Sequence, residues 1–443
     1  MALIELSPDT PAQPSIGRPP AHVYRRVGLL LATALVLVLG GAVPPTSLIW
    51  RQVGVVPFER GIDFRLIDGR VYSVDLDRQP PQLRAWSLDP MRELWNSPGP
   101  SGDENRPYRI DRAATNVVVV KNGPAQTYLD ARTGAVRWRS PIAVQELDGR
   151  TGLIVEERFR PGTEYDPDSG EPGPLYGLGG DVLHTEPALS STLAGVDLAN
   201  GRRLWTAEER GSVSAQWAGA PHRAIVVLTA GRLVLRSPTT GEVVREQTVP
   251  PVNGRLPEWM DLAGDVALVR YGAFGEGGRV AAYALDTLAP LWQQDHPDPL
   301  GGPGNCVGMP CLTNGADLNV LDQRTGAKLW RAGTDDTLFA FGDRSVLETR
   351  LMTRPTRTSD RRTGRTQVEL TTWETHTVLP DGKAYLLTKQ EPNNDTVVGI
   401  LRAGAGAVQP LGRIAGGAGG CQPDATYVAC TVSEGVAIYR YRG

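Results

Sequence analysis

Along most of the chain, apolar residues come in short bursts broken by Gly, Pro, Asp and Asn. Bursts such as Phe64–Ile67, Arg70–Leu76, Leu83–Leu88, Asn116–Val120 and Val397–Leu401 are rich in β-branched and aromatic residues. That pattern predicts many short strands joined by tight turns. One run breaks the rhythm. Val27–Val43 carries no charge over its whole length, follows Arg25 and Arg26, and ends at Pro44-Pro45. It sits at the lower length limit for crossing a bilayer core of about 30 Å, and Leu48, Ile49 and Trp50 can extend it to an interfacial aromatic.

The strand bursts repeat. Leu321–Trp330 reads as a strand end, an Asp-x-x-Thr-Gly turn and a second strand ending in Trp. Leu129–Trp138 repeats it with Asp130, Gly134 and Trp138, and Val196–Trp205 with Asp197, Gly201 and Trp205. The leading copy supplies Asp322, Gly326 and Trp330. Degraded copies end at Trp95 and Trp292; two more, ending at Arg245 and Val368, keep Thr-Gly and lack the Trp. Asp and Thr can hydrogen-bond nearby backbone, and Gly can take the positive φ that a tight turn demands. A Trp once per unit is a wedge that can pack one sheet on the next. The unit recurs about every 40 residues, the spacing of a propeller blade. The gap between Trp138 and Trp205 is longer and holds an insertion at 158–184.

Blade-like units run Ile62–Trp95, Tyr108–Trp138, Ala143–Trp205, Val213–Gln247, Trp259–Trp292, Cys306–Trp330, Leu338–Val368 and Thr377–Leu411. The tail supplies Thr426–Thr431 and Val436–Tyr441 and lacks an outer strand, which Gln52–Phe58 can provide at an edge that tolerates Pro57. The expectation is an all-β, eight-bladed propeller, with Leu338–Val368 shared with a neighbour because its third strand is lost among arginines; seven blades result if two weak units merge. Trp373, outside the repeat position, is expected to matter less than Trp330.

The domain reading is a disordered tail at 1–26, a transmembrane anchor at 27–49 and the propeller at 50–443. A cleaved signal peptide, with Gly40-Gly41-Ala42 as its cleavage site, is the rival for the apolar run. The long polar leader favours the uncleaved anchor, and Arg25-Arg26 suits a cytoplasmic N-terminus. Either way the propeller lies outside the cytoplasm. A net charge of −3 gives no bulk attraction for nucleic acid. The four Cys form two close pairs, Cys306/Cys311 and Cys421/Cys430. Local disulfides suit an oxidising compartment; a soft-metal site at Cys306 and Cys311 with Met309 is the alternative.

The Leu-Asp-x-x-Thr-Gly-x-x-x-Trp units resemble the quinoprotein-type (PQQ-repeat) propeller family with its tryptophan-docking motifs, over about residues 60–443. That family includes quinoprotein alcohol dehydrogenases and the lipoprotein propeller of the outer-membrane assembly machine, and the chain also looks like membrane-anchored bacterial propellers of this type. The resemblance implies a propeller with a central channel. In the family's enzymes adjacent cysteines form a vicinal disulfide against the quinone, and acidic residues hold Ca²⁺. No two Cys are adjacent here and no matching acidic set can be placed, so no catalytic, cofactor-binding or metal residue carries over.

Other candidates are weaker. Glu164, Asp166, Asp168 and Glu171 in the insertion echo a calcium loop but put Gly170 at a ligand position. A solvated surface loop is the plainer reading, and among the loops the insertion is the best candidate for a partner-binding element. Arg350, Arg354, Arg357, Arg361, Arg362 and Arg365 crowd one segment; a solvated hairpin is the plainer reading, and a site for an anion or an acidic partner the alternative. The five His show no ligand spacing, and no nucleophile motif supports Ser-His-Asp chemistry. The expected function is non-enzymatic protein binding or scaffolding at the cell envelope, without a cofactor; a quinone- or metal-dependent oxidoreductase is the alternative.

Overall fold

The computed structural model of the protein describes residues 50–441, apart from 58–62, 77, 79–80, 101–106, 167, 169, 171–174, 178–181, 273–277, 297–302, 315–316 and 334–335. The tail and anchor expected at 1–49 lie outside the described residues. Among the described residues no helix is long and apolar enough to cross a membrane.

Each strand burst pairs with the next. The result among the described residues is nine four-stranded antiparallel sheets, one more than expected. We number these blades 1–9: 63–98, 109–140, 144–210, 214–248, 257–296, 303–332, 336–369, 375–414, and 419–440 together with 51–57. Within a blade, chain order is sheet order, except in blade 9. There Arg51–Pro57 pairs with Gly435–Arg440, so the N-terminal strand completes the C-terminal blade. Phe58, expected in this strand, falls outside the described residues. Side chains continue the ring across this seam. Gln422 in blade 9 donates to the Phe64 carbonyl of blade 1 at 2.8 Å, and the Gly69 amide donates to Asp424 at 2.8 Å. On the other side, the Thr377 hydroxyl of blade 8 donates to the Cys421 carbonyl at 2.9 Å.

The ninth blade arises because Leu338–Val368 is not shared. It is a complete blade with strands Asp336–Phe341, Ser345–Arg350, Arg354–Asp360 and Thr366–Glu369. Its third strand is illegible as an apolar burst because it is buried through polar groups. Thr358 and Ser359 are nearly inaccessible, and Ser359 faces the fully buried Glu348. The Ser359 hydroxyl and the Arg357 guanidinium both reach that carboxylate. A buried charge is tolerated only when so paired.

Two of the second strands, Ala224–Leu228 and Val266–Tyr271, are buried along their whole length. The fourth strands are largely exposed on one side. Apolar clusters therefore form between neighbouring blades; one spans blades 4 and 5 from Val226 and Leu235 to Met260 and Tyr283. The insertion of blade 3 lies between Thr151–Arg158 and Ser190–Asp197, slightly longer than 158–184.

Cys306 and Cys311 form a disulfide across the first turn of blade 6, with Cα atoms 5.6 Å apart. Cys421 and Cys430 join the first two strands of blade 9, with Cα atoms 4.1 Å apart. The sulfurs of Cys306 and Cys311 are thus bonded to each other, which removes the soft-metal alternative.

Candidate functional site: two faces of one ring

Alternating strand direction sorts the connections onto two faces. The turns between first and second strands and between third and fourth strands share one, here called the turn face. The hairpins between second and third strands and the links between blades share the other, the loop face.

The turn face is built from the repeat motif. Asp130 accepts hydrogen bonds from the Arg132 and Thr133 amides, both at 3.0 Å, from the Thr133 hydroxyl at 3.1 Å and from Arg137 at 2.6 Å. Led by the Arg137 contact, these hold its carboxyl down to about 2, against the opposing effect of burial. Asp322 and Asp360 repeat the arrangement with Thr325 and Thr363, whose hydroxyls and amides lower both carboxyls. Gly134 follows in the left-handed region, at φ 72°, and its amide donates to the Asp130 carbonyl at 2.9 Å.

That glycine receives the tryptophan of the preceding blade. A Cβ on Gly134 would come within 2.6 Å of the Trp95 ring, and one on Gly201 within 2.7 Å of Trp138. Gly241, Gly326 and Gly364 stand in the same way against Trp205, Trp292 and Trp330. Each indole N–H donates into the next blade: Trp95 to Ala131, Trp138 to Leu198, Trp205 to Pro238, Trp292 to Gln323 and Trp330 to Arg361, at 2.8–3.2 Å. The motif's Gly and Trp thus work across a junction, not within one unit.

All nine fourth strands carry a one-residue bulge, and it fixes the tryptophan position in every blade. Four blades hold something else there: Arg245, Val368, Gly412 and Gly54. Their junctions are filled differently, and no repeated residue type marks how. Opposite Arg245, the glycine position of blade 5 is Leu288, at φ 58° and fully buried. Trp373, from the link after blade 7, was expected to matter less than Trp330, yet it is buried against Gly399 and Val408 of blade 8. Gly412 and Gly54 reverse the order, the small residue now lying in the earlier blade. Trp50 covers Gly412, stacks on Tyr439 at 4.5 Å and donates to the Arg413 carbonyl at 3.3 Å. Met91 covers Gly54. Locating the bulge, rather than the Trp, is the signal that finds these positions.

The loop face differs in kind. Among the described residues, the exposed large apolar side chains that lie outside strands are Leu76, Val182, Leu183, Leu189, Leu256, Leu351 and Met352. Every one is in a second-to-third hairpin or a link between blades. The insertion of blade 3 is here too, held by a Phe159–His184 stack at 3.7 Å and by the Thr163 hydroxyl on His184 Nδ1 at 3.0 Å. It reaches toward the first strand of blade 5: burial, helped by the Glu258 carboxylate, raises the Tyr176 phenol. Asp166 accepts from the Asp168 amide as an ordinary turn, and Glu171 lies outside the described residues.

The arginines that crowd one segment do not form one patch. Arg354 is exposed at the loop face. Arg357 pairs with buried Glu348 at 2.9 Å in mid-strand. Arg361 donates to the Gly308 carbonyl of blade 6 at 2.6 Å on the turn face, beside exposed Arg362 and Arg365.

Among the described residues no group of three or more His, Cys, Asp or Glu is placed to hold a metal ion. A cavity of about 200 Å³ opens between blades 5 and 6, beside His296, Thr313 and Asn319. It is smaller than the roughly 300–1,000 Å³ of ordinary ligand clefts.

Residues 189–306 match the family model of the outer membrane protein assembly factor BamB. No curated protein matches the chain. Among solved structures, BamB from Moraxella catarrhalis is similar at 13% identity over 89% of this chain and 100% of that one, with a TM-score of 0.36. A europium-containing methanol dehydrogenase is similar at 10% identity over 77% and 84%, with a TM-score of 0.39. The dihydro-heme d1 dehydrogenase NirN is similar at 13% identity over 90% and 89%, with a TM-score of 0.42. The repeat resembles that of the quinoprotein-type (PQQ-repeat) propeller family, and residues 189–306 are the part that the family model matches.

Proposed function

We propose that the protein is a non-enzymatic protein-interaction module of the cell envelope, anchored through 27–49 and using its loop face. The observation that carries this is the sorting of exposed apolar loop residues onto one face. Contiguous exposed apolar side chains mark contact sites, and Val182 with Leu183 and Leu351 with Met352 are such neighbours.

Arg51 pairs with Arg440 at the turn-face end of blade 9. The chain thus enters the ring on the turn face, opposite the loop face.

Photo-crosslinkers placed at Leu76 and Leu256 on the loop face, and at Arg132 and Arg324 on the turn face, test this in intact envelopes. Protein adducts are expected from the first pair only. Quinone absorbance or stoichiometric Ca²⁺ in protein purified from its own source would instead support an oxidoreductase.

A further inference from the structure

The second-to-third hairpin of blade 7 breaks two local rules at once. Its tip, Arg350-Leu351-Met352-Thr353, is closed by the Thr353 amide donating to the Arg350 carbonyl at 3.3 Å. Leu351 and Met352 have φ of 51° and 64°, the φ pattern of a type I′ turn. Asn and Gly are the residues suited to those positions, since a Cβ and a bulky side chain make positive φ costly. The two side chains are also 71% and 66% exposed, more than any other large apolar side chain among the described residues. Nothing in the folded chain gains from Leu-Met here: the pair is conformationally disfavoured and faces water. Local rules broken without a folding benefit point to function.

The tip is stiff. His376 of blade 8 donates from Nδ1 to the Thr353 carbonyl at 3.0 Å and packs against Phe339 and Tyr385. Burial lowers the His376 pKa, and the neutral ring still holds that bond. Arg350 and Arg354 pair across the hairpin base, are both exposed, and form no ion pair among the described residues. The tip is therefore a preorganised apolar knob between two free guanidiniums.

Resting on the reading of the loop face as an interaction surface, we propose that this tip is the primary anchor for a partner protein segment that carries aliphatic or aromatic residues beside Asp or Glu. The apolar pair would be covered by the partner's apolar residues, and the two arginines would meet its carboxylates. An anionic bilayer would satisfy the same chemistry. The chain's entry at Trp50, on the opposite face, argues for a protein instead.

The test uses the full chain in detergent and the variant Leu351→Asn/Met352→Gly, which removes the knob and supplies the preferred turn residues. Random peptides displayed on phage are selected on the wild-type chain and counter-selected on the variant. Tip-dependent peptides rich in Asp or Glu next to Leu, Ile or Phe are expected. Arg350→Gln/Arg354→Gln should weaken them at least tenfold, with a melting temperature unchanged. Recovery of no tip-dependent peptide, or of peptides without acidic bias, overturns the proposal. So does tip-dependent sedimentation with phosphatidylglycerol vesicles in the absence of such peptides. Crosslinks in intact envelopes from Leu76 or Leu256 but none from position 352 would sink the tip alone. Crosslinks from nowhere on the loop face would sink the interaction reading itself.

Discussion

The turn face and the loop face come from the same nine blades, yet they spend their residues in opposite ways. On the turn face nearly every distinctive residue has a partner. Asp130, Asp322 and Asp360 hold amides, the motif glycines accept a neighbour's indole, and Arg361 reaches a carbonyl of the preceding blade. On the loop face the distinctive residues, Leu351, Met352 and Leu256 among them, contribute little to the ring and stand in solvent. The difference teaches where selection for folding ends. Holding one blade on the next requires a repeated solution, while contact with another molecule requires a local exception to it.

The largest expected effect comes from breaking the ring itself. Deleting 51–57 exposes the edge of Gly435–Arg440 and removes blade 9's outer strand, together with the Gly54–Met91 contact. Cooperative thermal unfolding should be lost for the whole propeller; a melt like that of the intact chain would refute closure by this strand. Next come the junction fillers. Trp330→Ala should cost about 3–5 kcal/mol, as for large buried aromatics. Trp373→Ala should cost a comparable amount, since that ring is equally buried. Chemical denaturation checks both, and a negligible effect of Trp373→Ala would mean that the junction between blades 7 and 8 is held some other way.

Smaller effects follow from the turn carboxylates. Asp130, Asp322 and Asp360 have folded-state pKa values below the ordinary value. Each therefore contributes stability that is present above the ordinary Asp value of about 4 and lost as pH falls through its lowered folded-state value, about 2 for Asp130. Asp130→Asn should lower stability by roughly 1 kcal/mol at pH 5, and the gap from wild type should close near pH 2. A gap independent of pH would show that the carboxylate charge is not what the turn uses.

The sequence-legible part of the molecule is the part governed by repetition. Asp, Gly and Trp at fixed spacing reveal the blades, their period and the turn chemistry, and the lack of an outer strand in the tail points to the N-terminal segment. What escaped was substitution of one solution for another. Blade 7 hides its third strand because Glu348, Arg357 and Ser359 bury charge in place of apolar bulk. Trp50 and Met91 were invisible as fillers because at the seam the large residue moves to the following blade. Leu351 and Met352 are not turn residues by type, and only their backbone conformation and exposure set them apart.

Thermal melting of two full-length variants, Trp330→Ala and Leu351→Asn/Met352→Gly, tests the division of labour most directly. The first should melt well below wild type. The second should melt at or above wild type, because a favoured turn replaces a disfavoured one and no buried contact is lost. If the loop-face variant loses as much stability as Trp330→Ala, the loop face is holding the ring together and the separation between the two faces is wrong.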